Sequence, residues 1–284
     1  WLLHRLTGAF VTDAATASRT LLLDLDTAVW SPHACACFDV DPASLPSIVD
    51  CAGIVGETRA FGDSIPVSGL AVDQQAALFA HRCHTAGEAK CTYGTGAFLL
   101  ATTGAIPRRS RHGLVACVAW QLDGQRTYCL DGQVYAAGAA LQWLQRIGLV
   151  SDAAMVDTLA DTVPDTGGVC FVPALAGQAA PWWRPTARGA WTGLALATER
   201  GHLVRAFVEG LAAQVTCLAR ATAQDLGTPL TRLRVDGGLT AWRNEGRETV
   251  SGVNVPSKAF GEKVHHDRNV PDLAPEELKN LIDS

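Results

Sequence analysis

Short apolar runs that each break on aspartate, glycine or threonine, with helical stretches between them, confine this chain to a mixed α/β architecture. Residues 65–72 read as a strand that ends at Asp73, and 74–80 then read as a helix. Residues 91–100 read as two strands around a tight Gly94-Thr95-Gly96 turn. A further strand over 127–130 closes at Asp131-Gly132, and 138–147 look helical, with Leu141, Leu144 and Ile147 three apart. Apolar positions 203, 207, 211, 215 and 218 mark a long amphipathic helix. An alternating strand over 230–235 then stops at Asp236-Gly237-Gly238. The sequence has no internal repeat of fixed period.

A composition of 48 % apolar residues over 284 positions supplies a sizeable core and predicts one or two domains. The net charge of −5 gives no basic field, so neither nucleic acid nor anionic lipid is an expected partner. Arg108, Arg109 and Arg111 read as a short solvated loop. No run approaches the ~18–20 apolar residues that span a bilayer. Residues 1–5 lack the pattern of a secretory signal. A cytoplasmic chain without a membrane partner is therefore expected. The nine cysteines include no CxxC pair, and most sit in apolar runs such as 114–118. They read as buried reduced thiols rather than disulfides or a zinc site. Cys35-Ala36-Cys37 has no second Cys or His pair nearby at ligand spacing, so no metal ligands are assigned.

The composition changes near residue 240. All four asparagines (244, 254, 269, 280) and three of the four lysines (258, 263, 279) follow it, and only Lys90 precedes it. Residues 241–284 read as a divergent, flexible or frameshifted extension, with one short helical stretch over 275–282 whose first turn is acidic. A genuine but variable C-terminal arm is the alternative.

Four motifs are able to carry chemistry. Asp73 ends a strand at the mouth of a helix, where ligands gather in open α/β sheets, and Gln74 beside it offers donors and acceptors. A carboxylate there suits the proton of an attacking hydroxyl during phosphoryl transfer; on position alone a helix N-cap is the commoner role. Gly94-Thr95-Gly96 lets backbone N–H groups approach a phosphate, with the Thr95 hydroxyl as a further donor, or is a plain hairpin turn. Gly138, with Gln142 one helical turn on, is a second place for close backbone approach, or ordinary helix packing. Asp236-Gly237-Gly238 suits a nucleotide's base and ribose, or a turn. Each motif is weak alone; their order along the chain is specific.

In that order they resemble the FGGY carbohydrate kinase family. Residues 68–79 look like the substrate-site motif of its glycerol kinases, 92–98 resemble the second phosphate loop, and 137–144 and 234–238 resemble the ATP-site segments. Connecting stretches at 12–13, 17–20 and 180–185 match as well, so the resemblance runs continuously over about residues 1–240. It implies a ribonuclease-H-like, actin-like ATPase fold. Residues 1–82 would be the C-terminal part of a first, substrate lobe, and 83–240 most of a second, nucleotide lobe. Asp73 would be the catalytic base and Gln74 a substrate partner. Thr95 and Gly96 would meet the ATP phosphates, and Gly138, Gln142 and Gly238 would line the nucleotide site. The implied reaction is ATP- and Mg²⁺-dependent phosphorylation of glycerol or a similar polyol. A non-catalytic nucleotide-binding remnant and a kinase for another sugar are the alternatives, and neither monomer nor homo-oligomer is singled out.

The departures from the family pattern carry expectations too. Its first phosphate loop, metal-linked aspartate and several polyol-binding residues have no counterpart in this chain, so transfer by the chain alone is expected to be impaired. Trp242 stands where the family has Asn or a similar polar residue, and Val72 replaces a glycine before Asp73. The loop over 58–64 lacks the family's Gly-Arg signature, so inhibition by a sugar bisphosphate is not expected.

Overall fold

The structure, a computed structural model, describes residues 1–230 and 232–237. Gly238, Trp242 and the divergent segment 241–284, with its expected helix over 275–282, lie outside the described residues.

The N-terminal part is built from short elements: α1 (Leu2–Thr7), β1 (Val11–Asp13), α2 (Ala14–Ser18), α3 (Pro32–Cys37), β2 (Ser47–Val49), β3 (Ala52–Thr58), β4 (Ile65–Gly69) and α4 (Asp73–Ala80). β1 and β2 pair in parallel, while β3 and β4 form an antiparallel hairpin. Two local signals start α2 and α3. Asp13 caps α2 by accepting from the Thr16 N–H, and Ser31 caps α3 ahead of Pro32. β4 stops at Gly69, short of the expected end at residue 72, because the β3 strand it pairs with begins opposite Gly69 at Ala52.

The second part is organised around one sheet. Its elements are β5 (Glu88–Tyr93), β6 (Ala97–Gly104), β7 (Val115–Leu122), β8 (Gln125–Val134), α5 (Gly138–Arg146), α6 (Met155–Ala160), β9 (Cys170–Val172), β10 (Ala190–Thr192), α7 (Arg200–Leu226) and β11 (Arg232–Gly237). The strand order is β11-β5-β6-β8-β7; β11 runs parallel to β5 and every other pairing is antiparallel. The β5–β6 hairpin closes at Gly94-Thr95-Gly96, as its sequence predicts. β8, however, runs straight through Asp131-Gly132, where the sequence reads a stop. β8 lies between two partners there, with Leu100 of β6 on one side of Asp131 and Val115 of β7 on the other, and the ladder holds it extended.

Both faces of this sheet are covered, which is why its strands read as near-continuous apolar runs. On one face Leu99, Leu130 and Val134 pack with Val215, Leu218 and Ala221 of α7. On the other, Leu100, Cys117 and Cys129 pack with Leu78 of α4. α2 adds Ala14 and Ala17 against Val118 and Tyr128. α7 starts at a capping box between Glu199 and His202 and ends at Gly227, whose φ of 73° takes the left-handed conformation that glycine allows. Burying Leu218 completely contributes on the order of 1.5–3 kcal/mol.

Candidate active site

The ends of β5 and β11 and the start of α5 meet at one end of the central sheet, and Lys90 of β5 ties the first turn of α4 to it. Asp73 is the first residue of α4 and is exposed. The N-cap is Val72, which has no side-chain cap bond, so Asp73 does not play the capping role that its position also allowed. Its Oδ1 accepts from the Gln74 N–H at 2.8 Å, and its Oδ2 lies 3.4 Å from Gln74 Nε2. A carboxylate in the first turn is favoured by the helix dipole.

The turn after β5 is held by the start of α5. Ala137 and Ala139 N–H donate to the Thr95 carbonyl at 2.9 and 3.0 Å, and Gly138 N–H donates to the Gly94 carbonyl at 2.9 Å. These bonds satisfy helix donors that no side chain caps. They also explain the glycine at 138, since a Cβ there would stand 2.6 Å from the Gly94 carbonyl oxygen. The close backbone approach that the sequence demands is thus first an approach to the turn itself. Thr95 is left exposed, with Gly96 buried beneath it, and Gln142 is exposed further along α5.

β11 completes this end of the sheet. Its Asp236 pairs with Thr92 and its Gly237 with Tyr93. Gly237 has φ 76°, and a Cβ would come within 2.0 Å of the Tyr93 carbonyl oxygen, so only glycine lets the chain leave the strand there. His81 Nε2, just past α4, stands 3.1 Å from Asp236 Oδ2. That is ion-pair distance but off a hydrogen-bond direction, and neither Asp236 oxygen has a hydrogen-bond partner among the described residues. Burial raises the Asp236 carboxyl; His81, Thr92 and the Lys90 charge outweigh it and hold the group below its ordinary range.

Lys90 is the residue that the sequence reading passes over. It is fully buried on β5, donates to Thr92 Oγ1 at 2.7 Å, and makes a short hydrogen bond to Gln74 Oε1. Its only signal in the sequence is a charged residue inside a strand of apolar neighbours. Burial pulls its ammonium below the ordinary lysine range, against the attraction of Asp236, Asp131, Cys91 and Asp73. Asp131 is pushed up by burial, opposed by Arg19, whose guanidinium is 2.8 Å away.

The geometry therefore brings Asp73 and Gln74 together and links Gln74 through Lys90 to Thr92, two residues before the Gly94-Thr95-Gly96 turn. It docks Gly138 on that turn and sets Asp236-Gly237 beside it. Among the described residues, no group of three or more His, Cys, Asp or Glu side chains is placed to hold a metal ion. Nor is any helix long and apolar enough to cross a membrane.

Comparison with known proteins decides the family. Residues 1–80 match the N-terminal domain of the FGGY family of carbohydrate kinases, and residues 89–246 match its C-terminal domain. The chain belongs to the FGGY family of carbohydrate kinases. Among curated FGGY relatives, it is 47 % identical over 246 residues to the glycerol kinase of Alkalilimnicola ehrlichii and 48 % identical over 249 residues to that of Myxococcus xanthus. Each alignment takes in 85 % of this chain and 50 % of the relative, so the chain spans about half the length of these kinases. The crystal structure of Plasmodium falciparum glycerol kinase with ADP superposes with a TM-score of 0.77 at 36 % identity, over 85 % of this chain and 49 % of the other. A xylulose kinase from Brucella ovis gives 0.73 at 26 % identity, over 84 % and 50 %. The fold is accordingly the actin-like, ribonuclease-H-like one of the FGGY sugar kinases.

Proposed function

We propose that this chain carries the catalytic base and most of the nucleotide site of an ATP-dependent kinase that phosphorylates glycerol or a similar polyol. The observation that carries the reading is the tie that Lys90 makes between Gln74, next to the exposed Asp73 carboxylate, and Thr92, two residues before the Gly94-Thr95-Gly96 turn. The identity to glycerol kinases supports the substrate class.

Asp73 takes the proton of the attacking hydroxyl as its oxygen bonds to the γ-phosphorus and the bond to the departing ADP breaks. Gln74 holds a neighbouring oxygen of the polyol. The turn at 94–96, with the Thr95 hydroxyl, orients the phosphates, and Gly138 and Gln142 line the nucleotide side. Mg²⁺, when bound with ATP, would neutralise phosphate charge, and Asp73 is the exposed carboxylate of the site that would face it. Residues 1–82 then act as the end of the substrate lobe and 83–240 as most of the nucleotide lobe, in a cytoplasmic enzyme.

A titration of the isotope-labelled 284-residue chain, first with ATP and then with glycerol, tests this. ATP is expected to shift the amide signals of Thr95, Gly96 and Gly138, and glycerol the side-chain amide of Gln74. ATP shifts elsewhere would overturn the nucleotide assignment. ATP shifts at the turn with no response to glycerol would favour a nucleotide-binding remnant, and a response to pentuloses in place of glycerol a kinase for another sugar.

A further inference from the structure

We propose that Lys90 is a positioning residue: it holds the Gln74 side chain with its carbonyl turned inward, so that the amide nitrogen beside Asp73 faces the substrate as a donor. The inference rests on the polyol reading of Asp73 and Gln74 given above.

A buried ammonium is costly unless its protons are met. None of the ion pairs formed among the described residues includes Lys90. Its hydrogen bonds go to an amide oxygen and a hydroxyl, Gln74 Oε1 and Thr92 Oγ1. An ammonium has three donors and no acceptor, so only the oxygen end of the Gln74 amide is able to face it. The two ends of a glutamine amide are nearly identical in shape, and Lys90 breaks that equivalence. Gln74 Nε2 then donates one proton to Asp73 Oδ2 at 3.4 Å and keeps its second for a ligand, on a side chain that is only half-buried.

The result is an acceptor and a donor side by side at the first turn of α4. Two neighbouring hydroxyl groups complement them: one gives its proton to Asp73, and the oxygen of the other accepts from Gln74. An ammonium in the second place would meet a donor where it needs an acceptor, leaving only Asp73 to receive its protons. Lys90, which touches no substrate, thereby sets a preference for diols over amino alcohols. The charged and titratable groups around it are Asp73 on α4, Asp131 on β8, Asp236 on β11 and Cys91 on β5. A lysine kept only for packing would change stability and leave both the amide and the ligand preference untouched.

The test compares the 284-residue chain with its Lys90→Met form. Three quantities are read: the melting temperature, the Gln74 side-chain amide signals, and the affinities for glycerol and for its analogue with one hydroxyl replaced by an ammonium. Lys90→Met leaves Gln74 Oε1 and Thr92 Oγ1 without their donor and Asp236 without the lysine charge, so it is expected to melt lower than the parent, and the melting temperature alone does not separate positioning from packing. Its Gln74 amide should lose its single orientation, and its preference for glycerol over the amine should fall roughly tenfold. An unchanged Gln74 signal with an unchanged preference would overturn the proposal. If Lys90→Met does not fold, the unmodified chain still decides. Raising the pH until Lys90 loses its proton should shift the Gln74 amide in step, and a Gln74 signal that ignores that titration would equally overturn it. Failure of the polyol reading shows separately, as no glycerol response in the parent chain while Gln74 still follows Lys90.

Discussion

Replacing Gly138 by alanine should loosen the joint between α5 and the Gly94-Thr95-Gly96 turn. The new Cβ would lie 2.6 Å from the Gly94 carbonyl oxygen, a backbone atom that has no side chain to swing away. The start of α5 must retreat, which breaks the Gly138 N–H bond to Gly94 and the Ala139 N–H bond to Thr95. Each is worth about 1 kcal/mol net, so the loss is about 2 kcal/mol. For a chain of this size that corresponds to about 4–8 °C in Tm. Gly69→Ala is the control, because a Cβ at 69 meets nothing within 4 Å. The assay is thermal unfolding of the three proteins together with ATP titration. Gly138→Ala should melt lower than the control and bind ATP more weakly, since the phosphate turn has lost its support. A melting temperature within about 1 °C of the parent, with unchanged ATP affinity, would refute the claim that the glycine exists to let α5 dock on the turn.

Other consequences follow from the same structure. Leu218→Ala opens a cavity between α7 and the central sheet and should cost about 2–5 kcal/mol in denaturant unfolding. Burial raises the Asp225 carboxyl, but Ser110, the Arg111 N–H and His112 outweigh it and hold the group below its ordinary range. Its folded pKa is then lower than its unfolded one, so its contribution is present at neutral pH and disappears as pH falls through the acid range. The gap in Tm between the parent and Asp225→Asn should therefore be open at pH ~7 and narrow as the pH falls below the ordinary carboxylate range of ~4. Asp73→Asn, at an exposed helical position, should leave Tm nearly unchanged, which unfolding curves would show.

Local punctuation was legible in the sequence, and long-range pairing was not. The Gly-Thr-Gly break locates the β5–β6 hairpin because a tight turn writes its requirement into its own residues. Gly138 and Gly237 are visible for the same reason, although the atoms that forbid a side chain there, the carbonyls of Gly94 and Tyr93, emerge only when the chain is folded. The Asp131-Gly132 pair misleads, because its extended conformation is imposed by β6 and β7 and not by its own propensity. Lys90 misleads most. In the sequence it is one lysine in an arginine-rich chain, and nothing local says that Gln74, sixteen residues earlier, will lie against it. Of the sites read from sequence, Asp73 lies beside Gln74, and Gly138 docks on the turn that holds Thr95 and Gly96, with Lys90 bonded to both Gln74 and Thr92. Gln142 is exposed on α5, and Gly238 lies outside the described residues.

The central claim is that Asp73 serves phosphoryl transfer to a polyol. Its most direct test is a chimaera in which residues 1–237 of this chain replace their counterpart in the Alkalilimnicola ehrlichii glycerol kinase, which supplies the segments this chain does not span. The account predicts glycerol-dependent release of ADP, reduced about 10²–10⁴-fold by Asp73→Asn with ATP binding retained. Near-normal turnover of the Asp73→Asn chimaera would contradict it.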